Sequence, residues 1–337
     1  MVTKTSIHRG PLDRRVGKIA EVRLGGTSEE GGTRSWSVVL GGASSMPFHL
    51  FEGGTWKPPL ITPLVVEGPV KLPKPLRDVY GDLVGDPAAW ASFAMEKLKA
   101  KLIYVYLSSP LHGGTVEGAV KALEKVADEV KAPLIVGAPG DPERPILDAE
   151  VLTRAAEALR GERVALSYAT LDQFHVVAKA AKEHGHAVVA YTPTDVNLAK
   201  QLNANLLEAG LRREDIIIDP TTAALGWSLE YTYTVFERIR LLALQGDEQL
   251  QMPLLAAACN AWAARESYSH PKRLELGPLK LRGVAWEAVT AVAHAAAGAD
   301  VLVMLHPEAM RLVEEAITSA GLPSTPLKEL LKAGRVG

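Results

Sequence analysis

Polar side chains follow directly after a series of short apolar runs in the sequence. Hydroxyl and amide groups predominate among them, carboxylates are few and lysine does not occur. Such a set suits a neutral ligand with many hydrogen-bonding groups better than a phosphorylated sugar. In chain order the residues are Glu67, Ser108, Ser109, Ser167, Thr170, Thr192, Asp195, Asn197, Asp219, Thr221, Thr222, Asn260, Trp262 and His306.

Two pairs of residues could bind a metal ion or act as a nucleophile. His184 and His186 flank Gly185, and two histidines so close could hold zinc. A helix that ends at the glycine, with a cation near its negative end, is the simpler interpretation. Cys259 and His306 follow neighbouring apolar runs and could supply a thiolate or a zinc ligand. A lone cysteine, however, is usually a small buried apolar residue.

Among the acidic residues, Asp219 is the candidate for ligand contact because it stands directly after an apolar run. Glu230 falls in the first turn of a predicted helix, where a carboxylate is favoured by the helix dipole in any case. The sequence contains no Ser–His–Asp order, no P-loop and no H-E-x-x-H motif. These residues therefore predict a polar, mostly uncharged binding surface, with neither a catalytic group nor a metal site.

Eight apolar, β-rich runs recur at intervals that leave room for one helix between each pair. They cover residues 60–66, 102–107, 133–137, 163–169, 187–192, 215–219, 253–258 and 300–305. Eight strand–helix repeats predict an α/β fold of the (β/α)8 TIM-barrel type, whose functional residues follow the strands. A doubly wound sheet would carry a glycine fingerprint after its first strand. The sequence there is Val-Glu-Gly-Pro at 66–69, which favours the barrel.

Several of the intervening segments carry signals for the start or end of a helix. Asp86 before Pro87 predicts an N-cap with proline in the first turn. The run 170–173 fits a capping box, and Gly185 a helix end. Thr194 and Ser228 are predicted to cap the next two helices.

The first forty residues differ from the repeats. Residues 18–24 and 36–40 are strand-like runs joined by a polar, glycine-rich segment, which predicts an N-terminal β-hairpin. We therefore expect a hairpin and barrel-capping segment over residues 1–59, the barrel over 60–322 and a tail over 323–337.

Composition limits the classes of protein further. The chain has 337 residues, a formal net charge of −2 and 47% hydrophobic residues. Charge so near zero argues against a nucleic-acid or acidic-membrane partner. The sequence has no apolar run of transmembrane length and its first residues lack a signal-peptide core, so we expect a cytoplasmic protein. With Cys259 as its single cysteine, the chain cannot hold an iron–sulfur cluster alone.

Several short sequence motifs, in the same order along the chain, resemble those of a known family. The chain is similar to the small subunit of the corrinoid iron–sulfur protein, whose archaeal counterpart is the delta subunit of the acetyl-CoA decarbonylase/synthase complex. The likeness covers roughly residues 20–320. The motifs are GTRS (32–35), GG-x4-PFH-x-FEG (41–53), DPAAWA (86–91), DVNLAKQLN (195–203), IIIDPTTAALGWSLEY (216–231), ERIRLLALQGDEQLQMP (237–253), WEAVTAVA (286–293) and GADVLVMLHPEA (298–309).

The resemblance implies a barrel that pairs with a larger subunit. That partner carries the [4Fe–4S] cluster and holds most of the cobamide, which is bound with its benzimidazole base off. The heterodimer takes a methyl group from methyltetrahydrofolate or methyltetrahydropterin through a methyltransferase. It delivers the group to acetyl-CoA synthase in the reductive acetyl-CoA (Wood–Ljungdahl) pathway. This chain would then be a non-catalytic subunit whose barrel mouth caps a cobamide shared at the interface.

The cofactor-binding residues that we expect on this basis are Asn197, Asp219, Thr221, Thr222, Ser167, Thr192 and Asn260. The first four stand in motifs that match the family. Loop and cap hydrogen bonds are the alternative explanation for Asn197 and for the Asp219 turn. The segment 48–52, Phe-His-Leu-Phe-Glu, is expected to cap the barrel, with contact to the large subunit as the alternative.

Two other functions fit the same sequence. The chain could be a pterin-dependent methyltransferase with the same barrel fold, using Asp219 and Asn197 on the pterin. It could also be a barrel scaffold that binds only a protein partner. A methyltransferase would turn over methyltetrahydrofolate with free cobalamin by itself, whereas a scaffold would not purify as a coloured complex.

Overall fold

The computed structural model describes residues 15–48, 54–269 and 276–321. An eight-stranded parallel sheet curves into a nearly closed barrel, with strand order β8-β7-β6-β5-β4-β3-β10-β9. A bridge between Ile218 and Leu254 joins its two edges. The strands are β3 (Leu60–Glu67), β4 (Ile103–Leu107), β5 (Leu134–Gly137), β6 (Ala165–Ala169), β7 (Ala187–Tyr191), β8 (Ile216–Asp219), β9 (Leu255–Ala256) and β10 (Val301–Met304). The predicted (β/α)8 barrel is confirmed.

Helices surround the barrel because each parallel strand must be covered on its outer face. The helices are α1 (Lys74–Tyr80), α2 (Pro87–Leu98), α3 (Val116–Glu129), α4 (Pro145–Ala158), α5 (Phe174–His184), α6 (Val196–Glu208), α7 (Leu229–Gln245), α8 (Arg265–Tyr268), α9 (Leu279–Ala297) and α10 (Pro307–Gly321). Short 3-10 turns lie between several of them, including Ala258–Ala263. No helix in the described ranges is both long and apolar enough to cross a membrane.

The N-terminal hairpin closes one end of the barrel. Its strands, β1 (Glu21–Leu24) and β2 (Val38–Gly41), pair antiparallel, which confirms that prediction. Val22, Leu24 and Leu40 are buried in one cluster with residues at the amino ends of the barrel strands, such as Leu102 and Val301. The hairpin thus lies at the end of the barrel opposite the carboxyl ends of the strands.

Arg34 fixes the segment between the two hairpin strands. Its guanidinium group is buried and pairs with Glu162 at 2.7 Å. It also donates to the carbonyl oxygen of Ala127, in the last turn of α3, at 2.9 Å, and to that of Val130, directly after α3, at 2.8 Å. The motif GTRS therefore has a structural role, because this one side chain satisfies acceptors from two other parts of the chain.

The predicted helix signals were correct in part. Asp86 accepts a hydrogen bond from the backbone N–H of Ala89 and caps α2 as expected. The cap of α6 is Asp195 rather than Thr194, because its carboxylate accepts from two N–H groups of the first turn. The capping box at 170–173 does not form, since α5 begins at Phe174 and Gln173 is its N-cap. Ser228 precedes α7 in a left-handed conformation, and its side chain makes no capping bond.

Candidate ligand site at the barrel mouth

A cavity of about 450 Å³ lies at the carboxyl ends of β5, β6 and β7. We call it the mouth cavity, and its lining includes Gly140, Asp148, Tyr168, Thr170, Tyr191 and Thr192. Its position is the one at which barrels of this class bind their ligands. Tertiary structure thus brings together residues from three loops that are far apart in sequence.

Two tyrosines form an aromatic wall of the mouth cavity. The rings of Tyr168 and Tyr191 stack with their centroids 4.4 Å apart and their planes 25° from parallel. They come from neighbouring strands, β6 and β7. Burial raises the pKa of Tyr168 above its usual value, so its hydroxyl stays neutral and can donate a hydrogen bond. The wall combines an apolar face with polar edges.

Asp148 places a buried carboxyl group at the mouth cavity. It lies in the first turn of α4, and its Oδ1 accepts a hydrogen bond of 2.9 Å from the backbone N–H of Gly140. Burial raises the pKa of Asp148 to about 6. At neutral pH the group is therefore mainly ionised and can accept further N–H donors.

Asp219 ends β8 inside the barrel and is also buried. Its Oδ1 accepts a hydrogen bond of 3.0 Å from the backbone N–H of Thr221, yet burial still raises the pKa of Asp219 to about 7. Burial, and to a smaller extent the charge of Asp219, raises the pKa of Tyr104 and of Cys259, so the three groups share the upper interior of the barrel. A carboxyl group that is half protonated at neutral pH can act as donor or acceptor.

The seven predicted site residues fall into three groups. Ser167 lies in β6 and Thr192 directly after β7, both buried, while Asp219 ends β8 and Thr221 follows it; of these four only Thr192 lines the mouth cavity. Thr222 accepts from the backbone N–H of Ala257, and its carbonyl oxygen accepts from Asn260, both at 2.9 Å. These two residues therefore connect β8 to β9. Asn197 is exposed in the first turn of α6 and lies outside the lining of the mouth cavity.

Within the first group, hydrogen bonds hold the loop ends in place. The hydroxyl of Tyr104 donates to Ser167 Oγ at 2.8 Å. The hydroxyl of Thr221, whose φ is 70°, donates to the carbonyl oxygen of Thr192 at 2.8 Å. The Ser167 hydroxyl thus has a partner inside the barrel, and Thr221 fixes the strand end that carries Thr192.

Two threonine hydroxyls at the mouth cavity are buried without a partner among the described residues. They are the Oγ1 atoms of Thr170 and Thr192. Thr192 as a whole is only 1% exposed. Buried polar atoms are nearly always hydrogen-bonded in proteins. Two buried hydroxyls without a protein partner at one cavity therefore indicate that a bound molecule or water supplies their hydrogen bonds.

Sequence reasoning missed Asp148, Tyr168 and Tyr191. Asp148 follows β5 by eleven residues and lies within a helix, so inspection of the residues directly after each strand did not find it. The tyrosines are within strands, where aromatic residues usually indicate core packing. An aspartate in the first turn of the helix that follows β5 was the available signal.

The surroundings of the two pairs considered for metal binding or nucleophilic chemistry agree with the simpler interpretation of each. Gly185 adopts a left-handed φ of 81° at the end of α5, and His186 accepts from the Val164 N–H and contacts the Ala156 carbonyl oxygen at 2.9 Å. Burial raises the pKa of Cys259, which disfavours a thiolate. The described residues contain no group of three or more His, Cys, Asp or Glu side chains that could hold a metal ion.

Glu287 forms a second buried carboxyl site, below the rim next to β10. It accepts hydrogen bonds from the indole N–H of Trp262 and from the backbone N–H of His306, both at 2.9 Å, and from the backbone N–H of Leu305. Burial nevertheless raises the pKa of Glu287 to about 7. His306 stacks on Trp262 with the ring planes 18° from parallel. Glu287 thereby fixes the loop after the last strand.

Large apolar side chains are exposed on the opposite side of the mouth. Trp227 and Tyr231, at the start of α7, are 55% and 66% exposed. Leu281 and Val289 continue this surface along α9, which packs against α7. We call these four residues the apolar rim. Large exposed apolar side chains grouped on neighbouring helices are typical of a protein–protein contact.

The fold and the site define a (β/α)8 barrel with a candidate ligand site at the carboxyl ends of its strands. Residues 21–326 match the family model described as the CO dehydrogenase/acetyl-CoA synthase delta subunit. The chain belongs to this family, which confirms the resemblance found in the sequence.

Curated relatives agree with this assignment, and a solved structure agrees with the fold. The chain is 46% identical over 306 residues to the acetyl-CoA decarbonylase/synthase complex subunit delta of Methanopyrus kandleri, covering 89% of this chain and 75% of that protein. The delta subunit of Archaeoglobus fulgidus is 41% identical over 314 residues, 90% of this chain and 69% of its own. The fold is similar to that of dihydropteroate synthase from Xanthomonas albilineans in complex with 7,8-dihydropteroate. Its TM-score is 0.54 at 17% identity, covering 80% of this chain and 96% of that chain.

Proposed function

We propose that this chain is the small subunit of a heterodimeric corrinoid iron–sulfur methyl carrier. The carrier takes a methyl group from methyltetrahydrofolate or methyltetrahydropterin through a methyltransferase and delivers it to acetyl-CoA synthase. It works in the cytoplasm, in the reductive acetyl-CoA pathway. Membership of the delta-subunit family supports an assembly of several subunits, since the relatives are named as subunits of one complex.

The residues at the mouth fit a cobamide. The cobamide supplies the metal that carries the methyl group when it is bound. Its ring is edged with carboxamide groups, which need neutral donors and acceptors. The unpaired hydroxyls of Thr170 and Thr192, beside the Tyr168 hydroxyl, are groups of this kind. The observation that carries the proposal is this pair of buried, unpaired hydroxyls at a mouth without a lining cation.

The protein's own contribution is to cover one face of the ring. A cavity of about 450 Å³ is too small for the whole macrocycle, so the ring would lie across the mouth with its edge over the cavity. The apolar rim, on the opposite side of the mouth from the cavity, offers a surface for the large subunit. Together the two subunits would exclude water from the bound cofactor.

The described residues also favour a carrier over the alternative methyltransferase. That alternative needs Asp219 and Asn197 on one bound pterin. Asp219 is buried inside the barrel, whereas Asn197 is exposed outside the cavity lining. Neither of them lines the mouth cavity, so a pterin bound in that cavity would need a different set of residues.

Co-expression with a cysteine-rich corrinoid subunit tests the proposal. We expect a coloured 1:1 complex whose corrinoid absorption spectrum changes when the two subunits are separated. An unchanged spectrum would contradict a cap over the ring. The isolated chain is expected to show no turnover of methyltetrahydrofolate with free cobalamin, and turnover would instead support the methyltransferase.

A further inference from the structure

The mouth cavity has an uneven distribution of charge. Asp141, Asp148 and Asp172 contribute to its lining, and none of the described lining residues is positively charged. Arg144 pairs with Asp141 at 2.6 Å, and its charge also favours the ionised form of Asp148. Three carboxylates near this one guanidinium group therefore leave the cavity net negative at neutral pH.

Two neutral hydroxyl groups lie at the mouth cavity beside these carboxylates. Thr170 and Thr192 each place an unpaired buried hydroxyl in the same cavity as Asp148. A hydroxyl can donate to a carbonyl oxygen, and an ionised carboxylate can accept from an N–H group. A primary carboxamide presents both a carbonyl oxygen and N–H donors, so it satisfies the two kinds of group at once.

We propose that the mouth cavity is a specificity site that accepts carboxamide groups and rejects carboxylates. This inference rests on the proposed function, because the carboxamides would be side arms at the edge of the cobamide ring. The site would therefore distinguish the fully amidated cofactor from forms in which an arm is still a carboxylic acid.

The physical basis of the selection is charge together with hydrogen bonding. A carboxylate arm would bring a negative charge next to Asp148 and would leave its acceptor oxygens without an N–H partner. A buried polar site that hydrogen-bonds its ligand discriminates strongly against an analogue that cannot make the bonds. The stacked Tyr168 and Tyr191 would contact the apolar part of the arm.

The test uses the complex of this chain with its large subunit, stripped of corrinoid. Cobinamide and its separated monocarboxylic acid isomers are titrated at pH 7.5, and the dissociation constants are read from absorption spectra. We expect at least one acid isomer to bind about tenfold or more weakly than cobinamide. In Asp148→Asn this difference should fall to about threefold or less, because the repelling charge is gone.

A second variant tests the hydroxyls. Thr192→Val keeps the shape of the side chain and should weaken cobinamide binding about fivefold. Thr194→Val, at an exposed threonine outside the cavity lining, is the matched control and should bind as the unaltered complex does. Thermal unfolding of each complex verifies that the variants are folded.

The outcomes separate the two levels of the argument. If every acid isomer binds as tightly as cobinamide, or if Asp148→Asn discriminates as strongly as the unaltered complex, the specificity site is refuted and the carrier role stands. If neither cobinamide nor any acid isomer binds the folded complex, the proposed function itself is wrong.

Discussion

The indole N–H of Trp262 donates a hydrogen bond of 2.9 Å to Glu287, across 25 residues of sequence. The bond joins the 3-10 turn after β9 to the middle of α9. The same carboxylate accepts from the backbone N–H groups of Leu305 and His306. One side chain thereby holds two of the loops that form the mouth.

Removing the indole donor should destabilise the protein. Trp262→Phe leaves a fully buried carboxyl group with one donor fewer, and we expect a loss of about 1–3 kcal/mol in the free energy of unfolding. Urea unfolding followed by circular dichroism measures it. Trp36→Phe is the control, because the indole of Trp36 bonds to the Lys101 carbonyl in an exposed setting. Equal losses for the two variants would contradict the role assigned to Glu287.

His186 should make the stability depend on pH. Burial lowers the pKa of His186 to about 4, from an ordinary value near 6.5. Below pH 6.5 the unfolded chain binds a proton that the folded chain does not, so stability is lost as the pH falls from about 6.5 to about 4. The full contribution is about 3 kcal/mol.

The measurement compares urea unfolding at pH 7.5 and pH 5 for the unaltered chain and for His186→Gln. Glutamine can accept from Val164 and donate to Ala156 but does not titrate, so the variant should lose less stability on acidification. His112→Gln, at an exposed histidine, should behave as the unaltered chain does. An identical acid response in all three proteins would show that burial of His186 does not drive the effect.

Arg34 should be essential for the closed end of the barrel. Arg34→Met removes the partner of the largely buried Glu162 and a hydrogen-bond donor to the carbonyl oxygens of Ala127 and Val130, which should cost about 3–5 kcal/mol. Arg23→Gln, at an exposed ion pair, should have no measurable effect. Denaturation midpoints of the two variants that agree within error would count against this assignment.

The apolar rim should contribute to binding of the large subunit. Trp227→Ala and Tyr231→Ala together remove two exposed aromatic side chains, which are frequent anchors of interfaces, and should weaken the complex at least about tenfold. Val16→Ala changes an exposed apolar residue near the opposite end of the barrel, beside Gly246, and should leave the affinity unchanged. Analytical ultracentrifugation measures the affinity for the large subunit of the unaltered chain, the double variant and the control variant. An undiminished affinity in the double variant would place the interface elsewhere.

The barrel was predictable from sequence because its strands are buried on both faces and so appear as short continuous apolar runs. Helix starts were less certain, since Thr194 and Asp195 are both good caps and only the backbone conformation selects Asp195. Of the predicted site residues only Thr192, which directly follows β7, lies in the lining of the mouth cavity. Asp148 reaches the mouth cavity through the path of a loop and the angle of α4, and neither leaves a local pattern in the sequence.

The β1–β2 hairpin closes the amino end of the barrel and leaves only the carboxyl ends of the strands open to a ligand. Val22, Leu24 and Leu40 are buried over the packed amino end, so in the part of the chain that the structure describes a ligand at the mouth can enter and leave only on the carboxyl side. A ligand covered by a second subunit would then dissociate only when the two subunits separate. Its lifetime on the protein would be governed by how fast the assembly opens, and not by the strength of the ligand's own contacts alone.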